Sequence, residues 1–284
     1  MKAFALAAAM SCAFVGQALA WGQEGHSIVA EIAQTRLNET SAKVVQQLLK
    51  GRSLASVASW ADDVRDERPQ TYNWHFSDIP LFSEKYSEAR DCKQDKEKGD
   101  CIVKELVRLK NELRCTSGEA QADALKFAVH FIGDIHQPLH TVHDQGGGNQ
   151  LQVEPFMRGM TTCTERNTCK AEHASTNFHS AWDSGLINKT TWSWGAYVTR
   201  LESGWLKGTE ANQPGIDGGT PEDWVNETHA KARDIWHQRP TNEVLDDRYY
   251  RDVLPVLDRQ LGVAGLRLAK FINDAYASNQ CPVP

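Results

Sequence analysis

Two stretches of the chain carry the residue types that do chemistry: His130-Phe-Ile-Gly-Asp134-Ile-His-Gln-Pro-Leu-His140 and Phe178-His179-Ser-Ala-Trp-Asp183. In each, a histidine and an aspartate stand four positions apart, a spacing that puts both side chains on one face of an α-helix. His140 follows Pro138, so the chain can fold back and return a third donor to the first pair. Imidazole nitrogen and carboxylate oxygen presented together suit zinc. A single such pair is more often a surface hydrogen bond on a helix. Two pairs with an extra histidine favour a metal site. His26, Asp62 in Trp60-Ala61-Asp62, and His75 in Asn73-Trp-His-Phe76 are further candidates, each weak when taken alone.

Such donors must be held by helices, and the hydrophobic periodicity supplies them. Ile28, Val29, Ile32, Ala33 and Leu37 recur on one face and predict a helix from about Glu24 to Leu37. Val44, Val45, Leu48 and Leu49 predict a second, stopped by Gly51. Ser53 can cap a third over Leu54–Val64. The charged stretch 65–100 reads as loops with short elements. Helices return over Ile102–Leu113 and Ala120–Ile135. Leu151-Gln-Val-Glu is the clearest strand signal, and with the Cys163–Cys169 segment it suggests a small hairpin. Further helices are expected over Thr176–Ile187 and Thr191–Leu206, after a Thr220-Pro221 start, and over Asp246–Tyr276. A mainly α, single helical domain with a small β-hairpin and disulfides is the expected fold.

Residues 1–20 have the form of an export signal: Lys2, an apolar run over Ala3–Val15, then Ala18-Leu-Ala20. The expected domains are therefore 1–20 as signal peptide and 21–284 as the mature unit, exported to the medium or a periplasm with no membrane anchor. Cys12 leaves with the signal, and the remaining six cysteines point to disulfides. Cys92 with Cys101 and Cys163 with Cys169 are the natural local pairs, leaving Cys115 for Cys281; other connectivities stay open. Asn38, Asn188 and Asn226 begin glycosylation sequons. The net charge of −6 becomes −7 when Lys2 is removed. Such a chain does not capture nucleic acid through a broadly basic surface, although bound metal ions could reverse the sign locally.

Taken together, Trp21-x4-His26, Trp60-Ala61-Asp62, His75, His130-x3-Asp134-x5-His140 and His179-x3-Asp183 resemble the zinc-dependent single-strand-preferring nucleases, the mould nucleases and the plant bifunctional nucleases with 3′-nucleotidase activity. The resemblance implies a fold related to that of zinc phospholipase C and three zinc ions. Asp62, His75, His130 and Asp134 would hold one, and His140, His179 and Asp183 a second. His26, a bridging Asp134 and the free amine and carbonyl of Trp21 would hold the third. It further implies Asp62 as the group that orients or deprotonates the attacking water and Arg65 as the cation that stabilises the phosphoryl group. Phe76 and Asp78 would bind a base, and Gly148 and Asn149 would lie near base and phosphate. Gly146 makes three glycines in a row here, which leaves the local register open. His136, His143, His173, His229 and His237 match no ligand position and read as structural or surface residues.

The implied substrates are single-stranded DNA and RNA, cut to 5′-phosphorylated products, and 3′-nucleotides; a monomer is expected. Two other readings compete. In a zinc phospholipase C the first histidine lies farther from the tryptophan and a glutamate replaces the last carboxylate, so the spacing to His26 and the presence of Asp183 favour the nuclease. A non-catalytic zinc-binding secreted protein would use closed four-ligand sites, whereas His140, His179 and Asp183 leave a position open.

Overall fold

The computed structural model describes residues 21–155, 161–163, 169–171, 176–277 and 281. Its helices are α1 (Gln23–Gln34), α2 (Glu39–Leu48), α3 (Trp60–Asp63), α4 (Glu88–Asp91), α5 (Ile102–Cys115), α6 (Gly118–Asp134), α7 (Phe178–Ser180), α8 (Leu186–Thr190), α9 (Trp194–Ser203), α10 (Pro221–Gln238) and α11 (Asp247–Ala277). The strands are β1 (Gln152–Pro155), β2 (Thr161–Cys163), β3 (Cys169–Ala171), β4 (Thr176–Asn177) and β5 (Val244–Leu245). A mainly α single domain results.

Helix α1 lies at its centre. The sequence suggests one apolar face, yet every residue from Gly25 to Ala30 is buried, His26 and Ser27 included, because α1 packs against α11, α9 and α6 at once. Helices α5 and α6 pack together, and α11 crosses α2, α5 and α6. Each buried Val, Leu or Ile of this core contributes about 1.5–3 kcal/mol before the entropy of ordering the chain is subtracted. Helix ends follow the expected chemistry. Asn38 Oδ1 accepts from Ser41 N at 2.8 Å. Thr220 and Asp223 form a capping box, with Pro221 in the first turn of α10.

Strand β1 runs antiparallel to β4, with Gln152 opposite Asn177, and parallel to β5, with Glu154 opposite Val244. Strands β2 and β3 form the expected hairpin, with Cys163 opposite Cys169 in register; their side chains lie outside the described residues, as does the expected signal segment 1–20. Cys92 and Cys101 are bonded, with Cα atoms 5.1 Å apart. The expected Cys115–Cys281 bridge is a correction: both are exposed, free thiols. They are neighbours all the same, since a hydrogen bond from Cys281 pushes the Cys115 thiol up and Cys281 Sγ approaches the Arg114 carbonyl at 3.8 Å.

Three expected helices also need correction. Leu54–Val64 breaks into a 3-10 turn over Ala55–Val57, with Ser56 N bonded to Ser53 Oγ, followed by the short α3. Thr176–Ile187 opens as strand β4, and its helix carries a π turn at Ala181–Gly185 between α7 and α8. Thr191–Leu206 contains α9 and a separate 3-10 turn, Trp205–Lys207. Among the described residues no helix is long and apolar enough to cross a membrane.

Candidate metal centre

Helix α6 delivers His130 and Asp134 one turn apart into the centre of the molecule, both fully buried. Helix α1 brings His26 alongside, its ring stacked on His130 with centroids 3.8 Å apart. That approach depends on Gly133, where an added Cβ would lie 2.7 Å from His26 Nδ1. Helix α3 supplies Asp62, and the 3-10 helix Pro69–His75 ends on His75.

These side chains converge on Asp134. Its Oδ1 lies 3.2 Å from His26 Nε2, and its Oδ2 lies 3.1 Å from His75 Nδ1 and 3.3 Å from His130 Nε2. Asp62 reaches the same imidazoles, 3.6 Å from His75 and 3.6 Å from His130. Arg65 follows, its Nη1 3.8 Å from Asp62 Oδ1. A second set forms around Asp183, with His140 at 4.0 Å and His179 at 3.6 Å. The ligand atoms of His26, His130 and Asp134, of Asp62, His75 and His130, and of His140, His179 and Asp183 each lie within 4.8 Å of one another.

Backbone carbonyls orient most of these rings. Nδ1–H of His130 donates to Ala58 O, that of His140 to His75 O, and that of His179 to Gly147 O, each at 2.7 Å. This turns each Nε2 inward, the arrangement in which outer partners fix a ligand's tautomer. Gly147 can turn its carbonyl toward His179 because it adopts φ +63 in a position where a Cβ would meet Leu139 O at 2.7 Å. Gln137 binds Asp183 Oδ1 through Nε2 at 2.5 Å. Sequence reasoning missed Gln137 and these carbonyls; only Gln137 had a visible signal, an amide placed among the candidate ligands.

Many of the buried ring nitrogens and some of the buried carboxylate oxygens make no hydrogen bond within the protein. His26 Nδ1 and Nε2, Nε2 of His75, His130, His140 and His179, and Asp134 Oδ1 are buried with no hydrogen bond. Buried polar atoms left this way are costly, and a cation bound among them removes that cost. The donor chemistry therefore fits a metal cluster. Burial, reinforced by neighbouring histidines, holds His26, His75 and His140 well below the usual imidazole range. Burial brings His179 down to about 4. These four are neutral at pH 7, the form that binds metal. Burial opposes charge on His130 too, but the Asp134 and Asp62 carboxylates prevail and raise it to about 9. Burial lifts Asp134 to about 7 and raises Asp183 well above its ordinary value.

Trp21 is completely buried beside this cluster. Gly22 N donates to Asp183 O at 2.9 Å, which ties this end of the described chain to the second set. Half-buried Phe76 and exposed Asp78 line a cavity of about 470 Å³ together with Asn73, Lys93, Gln94 and His143. Gly148 and Asn149 do not line it: Gly148 packs against Phe178 and His179, and Asn149 Nδ2 donates to Gly146 O. The remaining histidines have other partners. His136 is buried between Ile132 O and Arg267, His229 bonds Thr141 O, and exposed His143 lies 3.9 Å from Asp78. His173 lies outside the described residues.

Residues 21–277 match the family model of the S1/P1 nucleases. Endonuclease 2 of Arabidopsis thaliana is 31% identical over 89% of this chain and 89% of its own length. Nuclease P1 of Penicillium citrinum is 29% identical, covering 91% of this chain and 98% of the relative. Nuclease S1 of Aspergillus oryzae is 28% identical, covering 89% and 91%.

Proposed function

The chain belongs to the S1/P1 nuclease family, and from that premise we propose that it is an exported, three-zinc phosphodiesterase that cuts single-stranded DNA and RNA to 5′-phosphorylated products and also removes the phosphate of 3′-nucleotides. One observation carries the reading: eight fully or nearly buried donors, from His26 to Asp183, gather in three groups, in each of which the nitrogen and oxygen atoms lie within 4.8 Å of one another. All but Asp183 keep a buried atom without a hydrogen bond. Asp62, His75, His130 and Asp134 would hold one ion, His140, His179 and Asp183 the second, and His26, Asp134 and Trp21 the third. Bound zinc supplies Lewis-acid charge for phosphate oxygens and lowers the pKa of a coordinated water to about 7.

The protein's own groups do the rest. Asp62, with side-chain oxygens beside His75 and His130, orients the attacking water and accepts its proton. Arg65, almost buried, offers a fixed positive charge to the phosphoryl group as negative charge builds in the transition state. Phe76 stacks a base and Asp78 accepts hydrogen bonds from it, within the cavity that flanks His75. A base can lie flat on a ring only when unpaired, which accounts for single-strand selectivity. Gly148 and Asn149 border the substrate on the His179 side.

The test is a zinc count on purified protein, followed by hydrolysis of single-stranded DNA, duplex DNA, RNA, 3′-AMP and phosphatidylcholine side by side. Three zinc ions per chain, with turnover of the single strands and 3′-AMP, are expected. Turnover of lipid without nucleic acid would make the protein a phospholipase C-like enzyme. Zinc-loaded protein inert on every substrate would make it a non-catalytic zinc binder.

A further inference from the structure

Arg65 is gripped from two sides. Toward the cluster it reaches Asp62; on the other side its guanidinium carbon lies 5.2 Å from the centroid of the Tyr72 ring. Tyr72 belongs to the 3-10 helix that ends on His75, and its ring meets Phe76 edge-on at 6.1 Å. Lys98 contributes a second cation to the same ring, at 5.1 Å. Lys98 sits on the loop closed by the Cys92–Cys101 disulfide. Two hydrogen bonds tie that loop to the residue after Tyr72: Asn73 N to Lys98 O at 2.9 Å and Asn73 Nδ2 to Gly99 O at 3.2 Å.

We propose that Tyr72 is a positioning residue for Arg65, held in place by the disulfide-closed loop. The proposal rests on the reading of Arg65 as the cation that meets the phosphoryl group. An arginine side chain has many rotamers, and aiming it costs entropy at the moment of reaction unless the aim is set beforehand. A guanidinium is attracted to the face of an aromatic ring, and the burial of Arg65 strengthens that attraction by excluding water. Without the ring, the balance of contacts on Arg65 shifts toward the Asp62 carboxylate, which draws its charge to the base of the reaction and away from the phosphate. The loss then falls on the transition state, so kcat drops while KM stays.

The experiment compares wild type, Tyr72→Ala, Tyr72→Phe, Arg65→Ala and the Arg65→Ala/Tyr72→Ala double variant, all zinc-loaded, on a single-stranded oligodeoxynucleotide. Zinc content, kcat and KM are measured for each. Tyr72→Ala should lower kcat about fivefold, an effect of the size a cation–π contact supplies, with KM and zinc content unchanged. Tyr72→Phe keeps the ring and should retain wild-type kcat. In the Arg65→Ala background the tyrosine substitution should cost nothing further. An equal kcat loss in both backgrounds, or a change confined to KM that points to Phe76 instead, overturns the proposal. Wild-type kcat in Arg65→Ala would remove the role of Arg65 itself. A damaged Arg65→Ala beside an unimpaired Tyr72→Ala would remove only the role of Tyr72.

Discussion

Asp134 faces three imidazoles, His26, His75 and His130, from a site with no access to solvent. A carboxylate so placed is the natural bridge between two cations, while the role of base is proposed for Asp62, which is slightly less enclosed and next to Arg65. Asp62→Asn keeps the shape and one acceptor oxygen but removes the base. Activity should fall by roughly a thousandfold or more, within the span assigned to general-base and electrostatic contributions. The melting temperature should stay close to wild type, and residual turnover within tenfold of wild type would count against the role. The His130 pKa makes a second prediction. Raised to about 9 by Asp134 and Asp62 against the effect of burial, the imidazole of metal-free protein carries a proton at pH 7 that zinc must displace. Metal binding should therefore release protons, and affinity should climb as pH rises from 7 toward 9. Chelator competition at pH 7, 8 and 9 measures this, and an affinity independent of pH would refute it.

At the scale of elements, the spacing of His130 and Asp134 was readable because α6 is a regular helix with a 3.6-residue period. His179 and Asp183 share that spacing, but His179 lies in α7 and Asp183 in the π turn that follows it. The same spacing cannot distinguish an α turn from a π turn, and π turns are frequent at functional sites. Strand β5 has two residues and pairs with a segment some ninety positions away, so no local pattern announces it. The carbonyls of Ala58, His75 and Gly147 that aim the rings were illegible for a plainer reason: every residue has a carbonyl, and only folding decides which one an imidazole meets. The close approach of α1 to α6 is a packing fact of the same kind, and it is testable. Gly133→Ala places a methyl group against His26 Nδ1. Overpacking of this sort costs about 1–3 kcal/mol, a melting-temperature loss of roughly 3–10 °C in a domain of this size. Because the methyl pushes on His26, zinc content should fall as well. An unchanged melt and a full zinc count would show that α1 yields without consequence.

For the molecule as a whole, the expected cut after Ala20 raises the question of what a buried tryptophan would do at the start of a chain. Trp21 is fully enclosed, and its Cδ1 lies 3.6 Å from the point where a Gly133 Cβ would stand, the same point that His26 Nδ1 approaches to 2.7 Å. Trp21 and His26 thus converge on one spot of α6, Gly133, the residue directly before Asp134 at the end of that helix. The family match also begins at Trp21. A backbone amine there can join His26 and Asp134 as a zinc ligand only if no residue precedes it, since a peptide nitrogen has no lone pair to give, and its reference pKa of about 7.7–8.0 lets zinc displace the proton near neutral pH. Export and assembly of the third metal position would then depend on cutting the same bond. The comparison is between protein beginning on Trp21 and protein retaining Ala20, both refolded with excess zinc and dialysed. The first should hold three ions per chain, the second two, with activity lowered in step and the helical circular-dichroism signal unchanged. Chemical acetylation restricted to the Trp21 amine should reproduce the two-ion state. Three ions and full activity in the chain that keeps Ala20 would show that the amine is not a ligand and that Trp21 serves the core alone.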